Sequence, residues 1–278
     1  MRGGFSRTLP ALLLFGAASA AAQDAPPERR PPEGTWIINL PSADVPAPGN
    51  LTLLFSHRFS EDVADSDFDS LFSFDSPASI GIGLGYVPVR NLQLWLQRSS
   101  YLTVYEASAR YRAAAVGPLV VSLRAGADWR TEQGANFDLQ PDYSRNGVFA
   151  QAILAFSPGD RIRITAVPTW VSETSGQPLT QPRGRYRNLF NVPLALSLAL
   201  TRSVNLQAEV VGRPSRGDST GVGWIAAVEK TVLRHRFAFT VGNLRPTTAD
   251  QYVAPNFAGF SPHDYYFGFN LVRQWKLR

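Results

Sequence analysis

The chain has 278 residues, with 27 lysines and arginines against 22 acidic residues and no cysteine. The missing cysteine excludes disulfides, lipid attachment at a lipobox, covalent c-type haem and thiolate metal sites. The positive charge is nearly all arginine, with lysine only at Lys230 and Lys276, and the arginines alternate with apolar residues instead of forming basic patches with exposed aromatics, so nucleic acid is not an expected partner.

Taken in order, the chain opens on a basic stretch holding Arg2 and Arg7. An apolar run from Leu9 to Ala22 follows, ending Ala20-Ala21-Ala22-Gln23. That is the pattern of a secretory signal peptide, so residues 1–22 are expected to be removed on export. Residues 23–49 carry seven prolines, from Pro26 to Pro48. Such a stretch is extended and semi-rigid, and it reads as an N-terminal arm that tucks into or under the domain through Trp36, Ile37 and Ile38.

From Asn50 onward the pattern has period two, with no helical period of useful length. Twelve strands are expected, at about 50–60, 78–87, 91–99, 101–112, 119–130, 146–157, 160–171, 188–200, 202–212, 221–231, 233–243 and 264–277. In the fifth, Leu119, Val121, Leu123, Ala125, Ala127 and Trp129 oppose Val120, Ser122, Arg124, Gly126, Asp128 and Arg130. In the last, Tyr265, Phe267, Phe269, Leu271, Trp275 and Leu277 share a face with Arg273, opposite Tyr266, Gly268, Asn270 and Gln274. A strand sends alternate side chains to opposite faces.

A soluble sandwich also has one apolar face, so alternation does not choose between protein core and lipid. Strand length does favour lipid, since ten to twelve residues match a tilted membrane strand. Connections point the same way. VPVRN, AVGP, SPGD, TRSV and VLRH are tight, whereas 61–77, 131–145, 172–187, 213–220 and 244–263 are long. The short link at Ser99-Ser100 is the exception. Aromatics at strand ends (Tyr86, Tyr105, Tyr111, Trp129, Trp170, Trp224, Tyr265, Trp275) suit interface girdles. The reading is an all-β antiparallel transmembrane barrel of about 12 strands over residues 50–278, with its apolar face turned to lipid.

The stretch from Ile38 to Ser100 contains INLPSADVPAPGNLTLLFSHRF and FDSLFSFDSPASIGIGLGYVPVRNLQLWLQRSS. Through His57-Arg58-Phe59, the segment from Phe72 to Asp75, the glycine-rich strand and Arg98-Ser99-Ser100, it resembles a bacterial family of membrane-bound β-barrel domains of unknown function. The resemblance covers about a quarter of the chain and implies an outer-membrane barrel. It implies no reaction and no catalytic residue.

With the apolar face outward, the expected lumen positions include Glu106, Arg110, Arg112, Arg124, Asp128, Arg130, Arg161, Arg163, Glu209, Glu229, Arg234 and Arg236. Eight arginines against four acids would favour anions in an open passage. The competing reading is that these groups cross-pair and fill the barrel, because twelve strands lie between filled eight-stranded barrels and open sixteen-stranded ones. Gly81, Gly83 and Gly85 alternate along one strand face. No helix follows, so they are not a phosphate loop. They make room for a plug or a large side chain, and the arm is a candidate plug.

Other motifs carry less. Asp65, Asp67 and Asp69 have the opening spacing of a calcium loop, but Ser70 and Ser76 stand where glycine and glutamate are needed. The nearby Phe68, Leu71, Phe72 and Phe74 suggest an amphipathic turn capping the barrel. His57, His235 and His263 have no metal-binding spacing. Ser56 and His57 face opposite ways on a strand, so they form no hydrolase dyad. The expectation is a non-enzymatic outer-membrane barrel without cofactor or metal, either a narrow anion-preferring pore or an envelope scaffold. Its partners would be outer-membrane lipid and small anions or another envelope protein. The alternative is a periplasmic sandwich or lipocalin-like binder with the apolar face inside.

Overall fold

The computed structural model describes residues 34–69, 71, 73–131, 146–174, 187–212, 221–253 and 263–277. The expected signal segment and residues 23–33 of the expected arm lie outside them. The strands are β1 (Asn50–Phe59), β2 (Ala78–Val89), β3 (Leu92–Ser99), β4 (Val104–Val116), β5 (Leu119–Arg130), β6 (Asn146–Phe156) and β7 (Ile162–Ala166). They continue with β8 (Thr169–Glu173), β9 (Arg187–Asn191), β10 (Leu194–Ala199), β11 (Val204–Val211), β12 (Gly223–Val232), β13 (His235–Gly242) and β14 (Tyr266–Lys276). One short helix, α1 (Ala249–Tyr252), lies between β13 and β14.

Every neighbouring pair is antiparallel, and β1 pairs both with β2 and with β14, in register Phe55↔Ile82 and Phe55↔Leu271. The sheet therefore closes and leaves no strand edge to face hydrocarbon. The fourteen segments make twelve staves. β6 pairs with both β7 and β8, while β10 pairs with β7 and β9 with β8. So β7–β8 is one stave and β9–β10 another. Each is interrupted at a proline, Pro168 or Pro193, which has no N–H for the ladder. Both proline carbonyls still accept, from the N–H of Ala152 at 3.0 Å and of Val167 at 2.8 Å.

The two ends of the barrel differ. At one end, two-residue turns join β2 to β3 (Arg90-Asn91), β4 to β5 (Gly117-Pro118) and β12 to β13 (Leu233-Arg234). Asn91, Gly117 and Leu233 have φ of 68°, 56° and 54°, as tight hairpins require. The start of β1 and the end of β14 also lie here, with Asn50 opposite Lys276. The long connections gather at the other end.

The exposed face is the apolar one. Leu84, Leu96, Leu123, Leu196, Val228 and Phe237 are 46–58% exposed, while the residues alternating with them are buried or half-buried. On β14, Phe269 points out and Asn270 is buried. Tyr105 and Trp129 stack at 5.6 Å on the outside near the long-loop end, where Trp170, Trp224 and Tyr265 also lie. Tyr86, Tyr111 and Trp275 mark the tight-turn end. Two aromatic bands around an apolar wall place the barrel in a bilayer.

Leu84 sits at the middle of β2, between Leu53 and Leu96 on its neighbours. Leu84→Arg is expected to lower folding stability in phospholipid vesicles by about 2–4 kcal/mol, the cost of arginine near a bilayer midplane, measured by denaturant titration of vesicle-inserted protein.

Candidate functional site: a lumen filled by its own chain

The inward face is polar by the same alternation that makes the outer face apolar. Of the residues expected there, Glu106, Arg110, Arg124, Asp128, Arg130, Glu209, Glu229 and Arg236 are buried in the barrel. Arg163 is half-buried on its wall. The rest sit elsewhere. Arg112 bonds Asn91 Oδ1 through Nη2 at 2.8 Å, at the tight-turn rim. Arg161 and Arg234 are exposed in the turns before β7 and β13, not in the lumen. Face parity holds only inside the ladder, and both arginines lie just beyond it.

The lumen holds two inserted segments. The first is the arm, whose residues 34–43 are buried. It enters at the tight-turn end beside β1 and doubles back as a hairpin. Trp36 bridges Pro41, the Ile37 N–H donates to the Leu40 carbonyl at 2.9 Å, and the Ser42 N–H donates to the Thr35 carbonyl at 3.2 Å. The hairpin tip wraps a carboxylate. The N–H groups of Ile38, Asn39 and Leu40 donate to Glu209 Oε1 at 2.7, 2.9 and 2.9 Å, and the Asn39 N–H also reaches Oε2 at 3.0 Å. Consecutive amides turned inward form an anion cradle.

Arg58 closes this latch. Its Nη2 donates to Asn39 Oδ1 at 3.0 Å and its Nη1 to Asn270 Oδ1 at 2.9 Å, while Asn270 Nδ2 donates to the Ile38 carbonyl at 2.9 Å. Lower down, Arg110 Nη1 donates to the carbonyls of Thr35 and Ser42 at 2.8 and 2.5 Å. Ser122 Oγ donates to the Ala43 carbonyl at 2.5 Å, and Arg163 pairs with Asp44.

The second segment, 244–253, enters from the long-loop end. Sequence reading left it as an external loop, yet α1 is buried throughout. The Ala249 N–H donates to Glu106 Oε2 at 2.9 Å, and Gln97 Nε2 donates to the Thr247 carbonyl at 3.0 Å. Gln151 Nε2 donates to the Tyr252 hydroxyl at 2.5 Å. Burial raises the Tyr252 phenol above its ordinary pKa and keeps it neutral.

Arg124 joins the two segments. It pairs with Glu106 and donates to Gln151 Oε1 at 2.7 Å, so it holds two of the side chains that contact α1. Its guanidinium also lies 4.9 Å from the Trp36 ring of the arm and 4.9 Å from the Phe149 ring. Ile37, Ile38 and Leu40 of the arm share one apolar cluster with Ile153, Leu189, Leu244 and Tyr252.

The glycine strand serves the arm. A Cβ at Gly83 or Gly85 would collide with the Trp95 ring, which lies flat across both. Trp36 packs on Trp95 with centroids 5.0 Å apart. Several wall groups remain without partners. Asp128, Gln207, Ser197 and Thr165 are buried, yet neither carboxylate oxygen of Asp128, neither amide atom of Gln207 and neither hydroxyl has a hydrogen bond.

Outside the barrel, His57 stacks on Phe269 at 5.0 Å and on the edge of Phe59 at 4.5 Å. Phe74 covers Phe59 at 5.1 Å and Phe267 at 5.5 Å. That part of the acidic loop therefore lies on the outer wall and does not cap the mouth. Phe72 lies outside the described residues. Ser56 faces inward, opposite to His57. Among the described residues no three acidic or histidine side chains converge as a metal site.

Sequence reasoning missed Arg58, Gln97, Gln151, Asn270 and Tyr252. The parity of β1 already put Arg58 on the face opposite Leu51, Leu53 and Phe55. Tyr252 had only its apolar neighbours Leu244 and Val253 as a signal.

The family model described as "Membrane bound beta barrel domain (DUF5777)" matches residues 33–275, and the chain belongs to this family. No curated protein matches it. Among solved structures it is similar to the COG4313 outer membrane channel from Pseudomonas putida F1, at 11% identity and TM-score 0.48, covering 91% of this chain and 100% of that one. It is also similar to outer membrane phospholipase A from Escherichia coli, at 11% identity and TM-score 0.44, over 81% and 89% of the two chains. A third is LpxR from Salmonella typhimurium, at 10% identity and TM-score 0.41, over 82% and 100%. At these values the likeness carries no residue role to this chain.

Glu209→Ala is expected to free the hairpin tip. The natural chain has no cysteine, so Ala43→Cys, at a fully buried position, reports alone. Its labelling by a membrane-impermeant maleimide should accelerate at least about tenfold in Glu209→Ala, since ~1.4 kcal/mol of lost hydrogen bonding shifts an equilibrium tenfold.

Proposed function

We propose that this protein is a non-enzymatic outer-membrane pore, closed by its own N-terminal hairpin and anion-preferring when the hairpin leaves. The observation that carries this reading is the buried polar wall. A barrel built only as a solid post would gain from apolar packing, because unpaired buried polar groups each cost about 1–3 kcal/mol. Here Gln207, Ser197 and Thr165 face the inside with no partner, and the hairpin is held largely by polar contacts that water can replace.

The sign of the charge supports anions. Among described residues the wall carries Arg58, Arg110, Arg124, Arg130, Arg163 and Arg236 against Glu106, Asp128, Glu209 and Glu229, six minus four, or +2. Withdrawal of the hairpin would take Asp44 away from Arg163 and the carbonyl acceptors away from Arg110. Rings of uncompensated arginine favour anions in a narrow passage. The two segments fill the lumen from opposite ends and meet at Arg124, so a departing hairpin also releases the Trp36 contact that steadies Arg124 and, through Glu106, α1.

A second reading is a permanently filled scaffold for another envelope component. The packing of Ile37 and Leu40 in the same cluster as Ile153 and Leu189 favours it. Planar-bilayer conductance separates the two. The wild-type chain should open rarely, and deletion of residues 34–45 should give steps with chloride over potassium selectivity that falls in Arg110→Gln and Arg163→Gln. A shortened chain that inserts with heat-modifiable gel mobility and never conducts would favour the scaffold.

A further inference from the structure

We propose that the wall patch holding Trp36 is a binding site for a small aromatic carboxylate, with the hairpin as its resident competitor. This rests on the reading that the hairpin can leave the lumen. The patch has one aromatic platform, Trp95, seated on Gly83 and Gly85. The Trp36 indole lies on its free face, with the Arg124 guanidinium over the indole. An aromatic ring between an indole and a guanidinium gains from both contacts.

The second half of the patch binds acceptors. Arg110 stands directly opposite Arg124 across β4 and β5. One of its amino groups donates to the carbonyls of Thr35 and Ser42, and the other donates to Gln93 Oε1 at 2.5 Å. When the hairpin leaves, Arg124 keeps Glu106 and Gln151, whereas Arg110 keeps only Gln93. Two oxygens must replace the two carbonyls. Thr35 adjoins Trp36 in the chain, so the lost ring and a lost oxygen are a few bonds apart. An arylalkanoate, a ring and a carboxylate joined by a short chain, supplies both groups at once.

Unused donors independently point to an anion. Arg110 Nε and Gln93 Nε2 are buried and have no partner with the hairpin in place. The patch thus offers more N–H groups than two carbonyls can use. A neutral polyol would bring donors of its own, which this donor-rich patch could not match. A carboxylate brings only acceptors, and its planar pair of oxygens fits a guanidinium fork. A neutral arene would leave Arg110 bare at a cost.

The test uses the full mature chain with Ala43→Cys as reporter. Its labelling by the impermeant maleimide is followed with indole-3-acetate, with indole and with acetate. A resident hairpin and a competing ligand obey mass action, so labelling should rise with indole-3-acetate, about tenfold where the probe exceeds its Kd tenfold. Indole or acetate alone should do far less, and Trp95→Leu and Arg110→Gln should each abolish the rise. No rise, or an equal rise with acetate or indole, would overturn the proposal while leaving the pore reading to its conductance test. Full labelling without any probe would overturn both, because the hairpin would not be resident.

Discussion

A charged carboxylate facing the middle of a closed barrel is costly unless donors surround it. Glu209 is that group, and the chain satisfies it with three successive backbone amides from its own arm. The rest of the interior follows from this demand. The cradle places Asn39 against Arg58, Arg58 fixes Asn270, and Asn270 returns to the hairpin through the Ile38 carbonyl. With the tip fixed, Trp36 falls on Trp95, and the pair needs the glycines of β2 beneath it. A buried charge is tolerated only when paired and hydrogen-bonded, and a twelve-stave barrel is wide enough for a chain segment to supply the partners.

The two inserted segments are one physical unit. Arg124 touches Trp36 of the arm and, through Glu106 and Gln151, both ends of α1. A displacement of the 244–253 segment at the long-loop end would therefore disturb the packing of Trp36, which belongs to the segment entered from the opposite end. This contact gives a lumen closed from both sides a route for one closure to sense the other. Closure and solute recognition would then use the same groups, since Arg110, Trp95 and Arg124 hold the hairpin and would hold its competitor.

The barrel was legible in the sequence because a period of two survives every local irregularity. Pro168 and Pro193 each break the ladder, yet the residues on either side keep their faces, so 160–171 and 188–200 read as single strands and act as single staves. The apolar face of β14 looked outward for the same reason. Failure began where the ladder ended. Arg161 and Arg234 were assigned to a face although they lie in turns, where parity has no meaning. The filled interior was only half legible. Three glycines on one face and a proline-rich arm with Trp36, Ile37 and Ile38 signalled a plug. The partner Glu209 lies 171 residues from Ile38, and no local pattern encodes a contact across that distance. The burial of 244–253 left almost no trace, because a polar segment inside a polar lumen resembles a polar loop outside it.

The most direct measurement of the central claim is single-channel current from a chain carrying Ala43→Cys and Ser122→Cys, recorded before and after a short bifunctional thiol reagent ties the arm to β5. The Ser122 hydroxyl meets the Ala43 carbonyl at 2.5 Å, so the tether should hold the hairpin where it already sits. The account predicts that the untied chain opens at least occasionally, that the tied chain never does, and that cleaving the tether restores the openings. Equal current from the tied and untied chains would contradict it, because the hairpin would not stand in the path of ions.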